Sequence, residues 1–349
     1  MKRQRWYKRT RLLFWLVPLG VVLLGFVVWT WWAERNPQQE RELRVMMHEQ
    51  FQEWFPEGMA LPENEFGLLP RSSEGADERR PDVLLLHGLD EPGGIWDDLV
   101  PVLDQAGMVV WEFRYPNDQA IDRSADMLAN CWPRLDQDHA VVLIGHSMGG
   151  LVIRDFVGRW RHPVEGVPGV EGAAVRGVIL VGTPNHGSDW ARLRMWLELR
   201  EFLASAAQQQ FSLFMGLREG TGAAKIDLRP GSAFLTDLNA REWPEAVPIR
   251  IIGGMLAEPT PRMKRSLEAI SAELGTGELA GALEARWLEL GEELGDGVVP
   301  THSLALTGAP PPIVVSSSHR GLLARGAPDD DEPPAIPHIL EILEAWLEP

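Results

Sequence analysis

The strongest chemical signature lies in VVLIGHSMGG, residues 141–150. Within it, Gly145-His146-Ser147-Met148-Gly149 sets a serine between two glycines. An apolar run precedes the pattern and the helix-like LVIRDFVGRW follows it. A chain that bends sharply from strand to helix at a serine projects the hydroxyl away from the backbone, and flanking glycines leave room for the bend. The start of the following helix supplies free N–H groups and the positive end of the helix dipole. A serine hydroxyl is a weak nucleophile near neutral pH, so this chemistry needs a base to take its proton, a histidine by preference.

The elements that must position such a serine are legible around it. VLLLHG (83–88), MVVWEFRYP (108–116), VVLIGHS (141–147), VRGVILVGTP (175–184), PIRIIGG (248–254) and PPIVVSSS (311–318) read as six strands. Their Val, Ile and Leu runs lack polar alternation, as expected of parallel strands covered on both faces. Helix-like stretches fall around 97–106, 119–133, 148–161 and 336–347. The alternation predicts an α/β doubly wound, mostly parallel sheet. Two stretches break the rhythm, 188–246 and 255–295, and both follow strand ends, where caps or lids over a site belong. In the first, Leu193, Met195, Trp196, Leu197, Leu199, Phe202 and Leu203 offer an apolar surface for a ligand or for the core.

The amino terminus has a different character. Six basic residues, Lys2, Arg3, Arg5, Lys8, Arg9 and Arg11, are the only charges before Ala33. Residues Leu12–Trp32 then run 21 residues without a charge and end in Trp29, Trp31 and Trp32. A helix of that length reaches roughly 30 Å, the thickness of a hydrocarbon core. The expectation is a basic cytoplasmic tail (1–11), a single transmembrane anchor (12–32) rather than a cleaved signal, and a body on the periplasmic or extracellular side. Residues 33–80 predict a juxtamembrane helix and a linker, with Val45, Met46, Phe51, Trp54 and Phe55 as an apolar face whose aromatic residues rest on the body, the favoured reading, or on the bilayer surface. The domain that carries the serine pattern is expected over 81–349.

Composition excludes several classes. With 45% hydrophobic and 24% charged residues over 349 positions, the chain is neither disordered nor collagen-like. A lone cysteine, Cys131, forbids an intrachain disulfide. No Cys and His cluster has zinc spacing. A formal charge of −17 is a poor match for nucleic acid.

LLLHGL (84–89), IGHSMGG (144–150), VGTPNHGS (181–188), GDGVVP (295–300) and SSSHRGLL (316–323) occur in the order found in α/β-hydrolase lipases and esterases. The GTPNHGS stretch and LRPGSAFLTDLN (228–239) resemble bacterial triacylglycerol lipases and the related GPI inositol-deacylase-like hydrolases. The resemblance covers about residues 81–325. It implies the order serine, acid, histidine along the chain. Ser147 is then the nucleophile. His319, after the last strand and followed by GLL, is the expected base, with His302 the main rival and His162, His186 and His338 also downstream. Asp296, between two glycines, is the expected acid, against Glu258, Asp227 and Asp237. A turn aspartate that caps its own backbone is the other reading of Asp296. The oxyanion donors expected are the backbone N–H groups of Met148 and Leu89, with His87 a structural residue. The implied activity is cleavage of carboxylic esters, lipid or other acyl esters, through an acyl-enzyme, without a cofactor or metal. The alternatives are transfer to, or removal of acyl groups from, a glycolipid or similar substrate, and a catalytically silent membrane-tethered binding protein.

Overall fold

The computed structural model describes residues 20, 24–25, 28–72, 80–89, 94–189, 218–256, 293–327 and 330–347. Helix α1 (Pro37–Trp54) leads into β1 (Gly67–Pro70) and β2 (Val83–Leu86). Then follow α2 (Leu99–Gln105), β3 (Val110–Arg114), α3 (Ile121–Cys131), β4 (Ala140–His146), α4 (Met148–Phe156) and β5 (Ala174–Val181). The last part holds α5 (Ala223–Asp227), α6 (Ala233–Ala240), β6 (Ile249–Met255), β7 (Ile313–Ser316) and α7 (Ala335–Leu347). All six predicted strands are present, and α2, α3, α4 and α7 fall where helices were expected.

Among the described residues the strands form one seven-stranded sheet in the order β1-β3-β2-β4-β5-β6-β7, parallel except for β1, which pairs antiparallel with β3. Alternate residues of β2 enter different cores. Leu84 and Leu86 pack with Ile121, Leu128, Leu151 and Phe156, while Val83 and Leu85 pack with Trp96, Leu99, Leu103, Ile336 and Leu343. Both faces are therefore covered by helices, which is why the central strands read as unbroken apolar runs. The strand order reverses between β2 and β4, so the loops leaving these two strands part to opposite sides and leave a crevice at their carboxyl ends.

The segment before residue 81 contributes more than a linker. Gly67–Pro70 supplies the edge strand β1, and α1 lies against the body. The expected apolar face of α1 is only partly what meets the body: Val45 and Phe51 are half-buried, Met46, Trp54 and Phe55 are exposed, and Glu40 and His48 are buried instead. The body surface beneath α1 carries Asp122, Asp227 and the Thr221 carbonyl, which pair with Arg41 and Arg44 and draw the charged face inward. Of the predicted anchor Leu12–Trp32, Gly20, Leu24, Gly25 and residues 28–32 are described, and they are helical. No helix among the described residues is long and apolar enough to cross a membrane, and the rest of the predicted anchor lies outside them. Most of the two candidate caps also lies outside, at 190–217 and 257–292, including the apolar surface from Leu193 to Leu203.

Candidate active site

Ser147 sits at the bend between β4 and α4 with φ 53° and ψ −124°. It is the one non-glycine residue with positive φ among the described residues. Its N–H donates to the Val181 carbonyl at 2.8 Å, which ties the bend to the end of β5. The flanking glycines answer close approaches. A β-carbon on Gly145 would fall 2.5 Å from the Gly150 nitrogen, and one on Gly149 would fall 2.2 Å from the Leu86 carbonyl oxygen. Larger residues there would push α4 off the sheet and widen the bend. Met148 opens α4, so its N–H has no carbonyl partner within the helix.

The loop after β2 passes beside the serine: a β-carbon on Gly88 would lie 2.9 Å from Ser147 Cβ. Leu89 is partly buried on the same core face. The backbone here is held by His87 and Tyr115, whose rings stack at 4.4 Å. Tyr115 Oη donates to the His87 carbonyl at 2.6 Å, and His87 Nδ1 bonds the Gly88 carbonyl at 2.9 Å. Burial pushes the His87 pKa down to about 4, so the ring is a neutral prop for this loop.

Asp296 occupies a tight turn between Gly295 (φ 57°) and Gly297 (φ 90°). Its Oδ1 accepts from the Val298 N–H at 2.9 Å and the Val299 N–H at 2.7 Å, and its Oδ2 lies 2.7 Å from His319 Nδ1. The His319 N–H also donates to the Asp296 carbonyl at 2.9 Å. Both readings of Asp296 thus hold together, since the turn uses one oxygen and the imidazole the other. A carboxylate only accepts, so Nδ1 carries the proton and Nε2 the lone pair. Among the described residues the Ser147 hydroxyl itself makes no hydrogen bond. The His319 ring borders Gly182, where a β-carbon would lie 3.2 Å from it, one residue beyond the carbonyl that holds Ser147.

One participant was not singled out from the sequence. His146, directly before Ser147, is buried with its ring centroid 4.7 Å from that of His319 and its Nε2 3.3 Å from the His319 carbonyl oxygen. Burial, and then the neighbouring His319, push its pKa well below the usual value. It therefore stays uncharged beside the His319 ring. Its position in the G-x-S-x-G pattern is variable by definition, so nothing in the pattern marks it.

The rival residues lie elsewhere or act otherwise. His302 and His186 are exposed, and His162 accepts from the Val175 N–H at 3.3 Å near the start of β5. His338 lies on α7. Asp227 pairs with Arg41, Asp237 is exposed on α6, and Glu258 falls outside the described residues. No group of His, Cys, Asp or Glu among the described residues is arranged to hold a metal.

The fold is that of the α/β-hydrolase lipases and esterases. The mature lipase BlEst2 of Bacillus licheniformis is 15% identical, with a TM-score of 0.50 over 79% of this chain and 97% of that one. The Staphylococcus hyicus lipase gives 0.51 at 14% identity, over 82% and 97%. A metagenomic carboxyl esterase gives 0.50 at 16% identity, over 87% and 90%. At these identities the likeness is one of fold. No protein-family model and no curated protein matches the chain.

Proposed function

We propose that the chain is a serine hydrolase of carboxylic esters, and the observation that carries this reading is the Asp296–His319 pair, whose imidazole lies 4.7 Å from the ring of His146, the residue before the bend at Ser147. Ser147 Oγ attacks the ester carbonyl while His319 Nε2 takes its proton. Asp296 fixes the tautomer and stabilises the imidazolium. The developing oxyanion is received by the N–H groups of Met148 and Leu89. Collapse of the tetrahedral adduct expels the alcohol, which takes the proton back from His319, and an acyl-serine remains. Water then enters by the same route in reverse, with His319 as base, and releases the carboxylic acid.

The acyl group is apolar, and the run Leu12–Trp32 serves as a single-pass anchor, with the basic tail in the cytoplasm and the catalytic body outside. This location favours lipid esters. A fluorophosphonate probe and a series of p-nitrophenyl esters of rising acyl length test the reading. Labelling and turnover in the wild type, both lost in Ser147→Ala, are expected. A wild type that neither labels nor turns over any ester sinks it.

A further inference from the structure

His319 follows β7, the strand at the edge of the sheet, and its ring comes to lie against Gly182, which follows β5. Three strand spacings, about 14 Å, separate β7 from β4 and the bend at Ser147. Along β7 half-buried residues alternate with exposed ones, so the strand that launches the loop is lightly packed. The loop has to be fastened at its far end for the imidazole to stop at a fixed place.

Asp296 fastens one side, accepting at its carbonyl from the His319 N–H and at Oδ2 from the ring. His146 fastens the other. Its Nε2 lies 3.3 Å from the His319 carbonyl oxygen, and the two rings pack at 4.7 Å with their planes 41° apart. A carbonyl only accepts, so the His146 proton sits on Nε2 and the lone pair on Nδ1. Nδ1 is buried beside Gly88, where a β-carbon would lie 3.4 Å from it, and it has no hydrogen-bond partner among the described residues. A second proton on this ring would be a buried N–H with nothing to receive it. Trp96 closes over the ring edge-on at 6.5 Å. The titratable and charged groups that act on it are His87, from the loop after β2, and His319 and Arg320, from the loop after β7. None of the three is an acid, so none favours a charged ring.

We propose that His146 is a positioning residue for the base: it ties the His319 backbone to the residue before Ser147 and lays an uncharged ring against the imidazole. The inference rests on the hydrolase reading above. His146 ends β4, pairs in register with Val181 of β5, and is joined to Ser147 by one peptide bond. Ser147 is itself fixed to the Val181 carbonyl. A single side chain on this rigid strand end therefore spans from nucleophile to base, two places 173 positions apart between His146 and His319 along the chain. Without that bond the Asp296–His319 pair still forms, but its loop is free to drift relative to Ser147. A drift of about 1 Å costs on the order of 10²-fold in rate. His146 is buried and offers no surface to substrate, so the loss falls on kcat and leaves KM alone. When His319 takes the proton of Ser147, a neutral neighbour adds no repulsion.

The test compares three variants of the full chain on a p-nitrophenyl ester. His146→Gln carries an N–H that reaches as far as Nε2. His146→Asn is one carbon shorter and brings its N–H only to the level of Nδ1, and His146→Leu has no donor. In the Asn and Leu variants kcat should fall about 10–100-fold with KM within about twofold of wild type, while the Gln variant stays within about threefold in kcat. Equal kcat in the Gln and Asn variants overturns the proposal, and so does a loss carried by KM. Should the Leu variant fail to fold, the Gln and Asn pair decides. In a His319→Ala background His146→Asn should change the residual rate by less than about twofold, because the base it positions is gone. The same loss in both backgrounds means a structural role and overturns the proposal. A further readout needs no turnover. Nitrogen NMR of isotopically labelled histidine near neutral pH, with the His146 signals assigned by their loss in His146→Gln, should find the proton on Nε2. A proton on Nδ1 overturns the contact and the proposal with it. A wild type that cleaves no ester sinks the hydrolase reading, while the tautomer still decides the contact.

Discussion

Asp296 holds the His319 imidazole with one carboxylate oxygen, at 2.7 Å, and its own turn with the other. The two tasks separate by mutation. Asp296→Asn keeps an acceptor for the Val298 and Val299 N–H groups but loses the charge that fixes the tautomer, so kcat should fall by roughly 10³–10⁴-fold with folding nearly intact. Asp296→Ala removes both functions and strands two N–H groups, with an added stability loss of about 1–3 kcal/mol. Ester turnover and urea unfolding of the two variants check this. Equal stability of the pair would contradict the division.

Ser147 holds φ at 53°, a backbone that glycine adopts freely and alanine does not. Strain of this kind costs about 1–3 kcal/mol, part of which glycine relieves. Both Ser147→Ala and Ser147→Gly should be inactive, and Ser147→Gly should be the more stable by about 1 kcal/mol. Calorimetry of the two inactive variants measures the difference. A less stable glycine variant would mean that its added unfolded-state freedom outweighs the strain.

Sequence reading reached the central strands because burial on both faces leaves no polar alternation, and it singled out Ser147, Asp296 and His319 through the short motifs that carry the family resemblance, of which the last two are seen hydrogen-bonded. It missed β1, whose Gly-Leu-Leu-Pro is four residues long, lies at an edge and is bounded by residues typical of loops. It found α1 but not which of its residues meet the body, because a helical wheel knows its own residues and not those of its partner. Arg41 and Arg44 face inward only because Asp122, Asp227 and the Thr221 carbonyl wait there, more than 75 positions further along the chain. The same holds for His146, whose role depends on which ring lies opposite.

Acid should destabilise the protein through its buried histidines. Burial lowers His87 from 6.5 to about 4 and moves His146 in the same direction. Between those pH values the unfolded chain binds protons that the folded one refuses, so the contribution is complete above pH 6.5 and declines as pH falls towards 4. For His87 alone this amounts to about 3 kcal/mol. Asp227, raised by burial to about 6, works with the opposite sign, since its folded form keeps a proton that the unfolded chain releases. Glu112, raised by burial, acts in the same sense as Asp227, and His146 in the same sense as His87. Melting temperature should fall from pH 7 to pH 4.5, and His87→Gln should flatten that slope whatever its effect on stability at pH 7. An unchanged slope would remove His87 from the account.

Arg154 links α4 to the segment that follows Asp296, reaching it at Leu304 through Asn185. It is buried on α4, and burial lowers its pKa to about 9. Its Nη1 donates to Asn185 Oδ1 at 3.0 Å and its Nη2 to Asn239 Oδ1 at 2.8 Å. Asn185 in turn donates to the Leu304 carbonyl at 2.6 Å, and Asn239 to the Asn185 carbonyl at 2.9 Å. Ser303 Oγ closes the path to the Gly187 carbonyl at 2.7 Å. Arg154→Met leaves the buried Asn185 and the half-buried Asn239 amide oxygens unpaired, a loss of about 2–4 kcal/mol. Because the released segment includes the residues after Asp296, kcat should also fall, by about tenfold, with KM little changed. Arg154→Lys should rescue neither, since one ammonium cannot reproduce the planar fork that bonds both asparagines. Arg241→Met, which cuts a half-exposed ion pair to Asp155 in the same neighbourhood, should leave kcat unchanged. If Arg154→Met proves unstable yet turns over ester at the wild-type rate, the path supports the fold and does not place the acid.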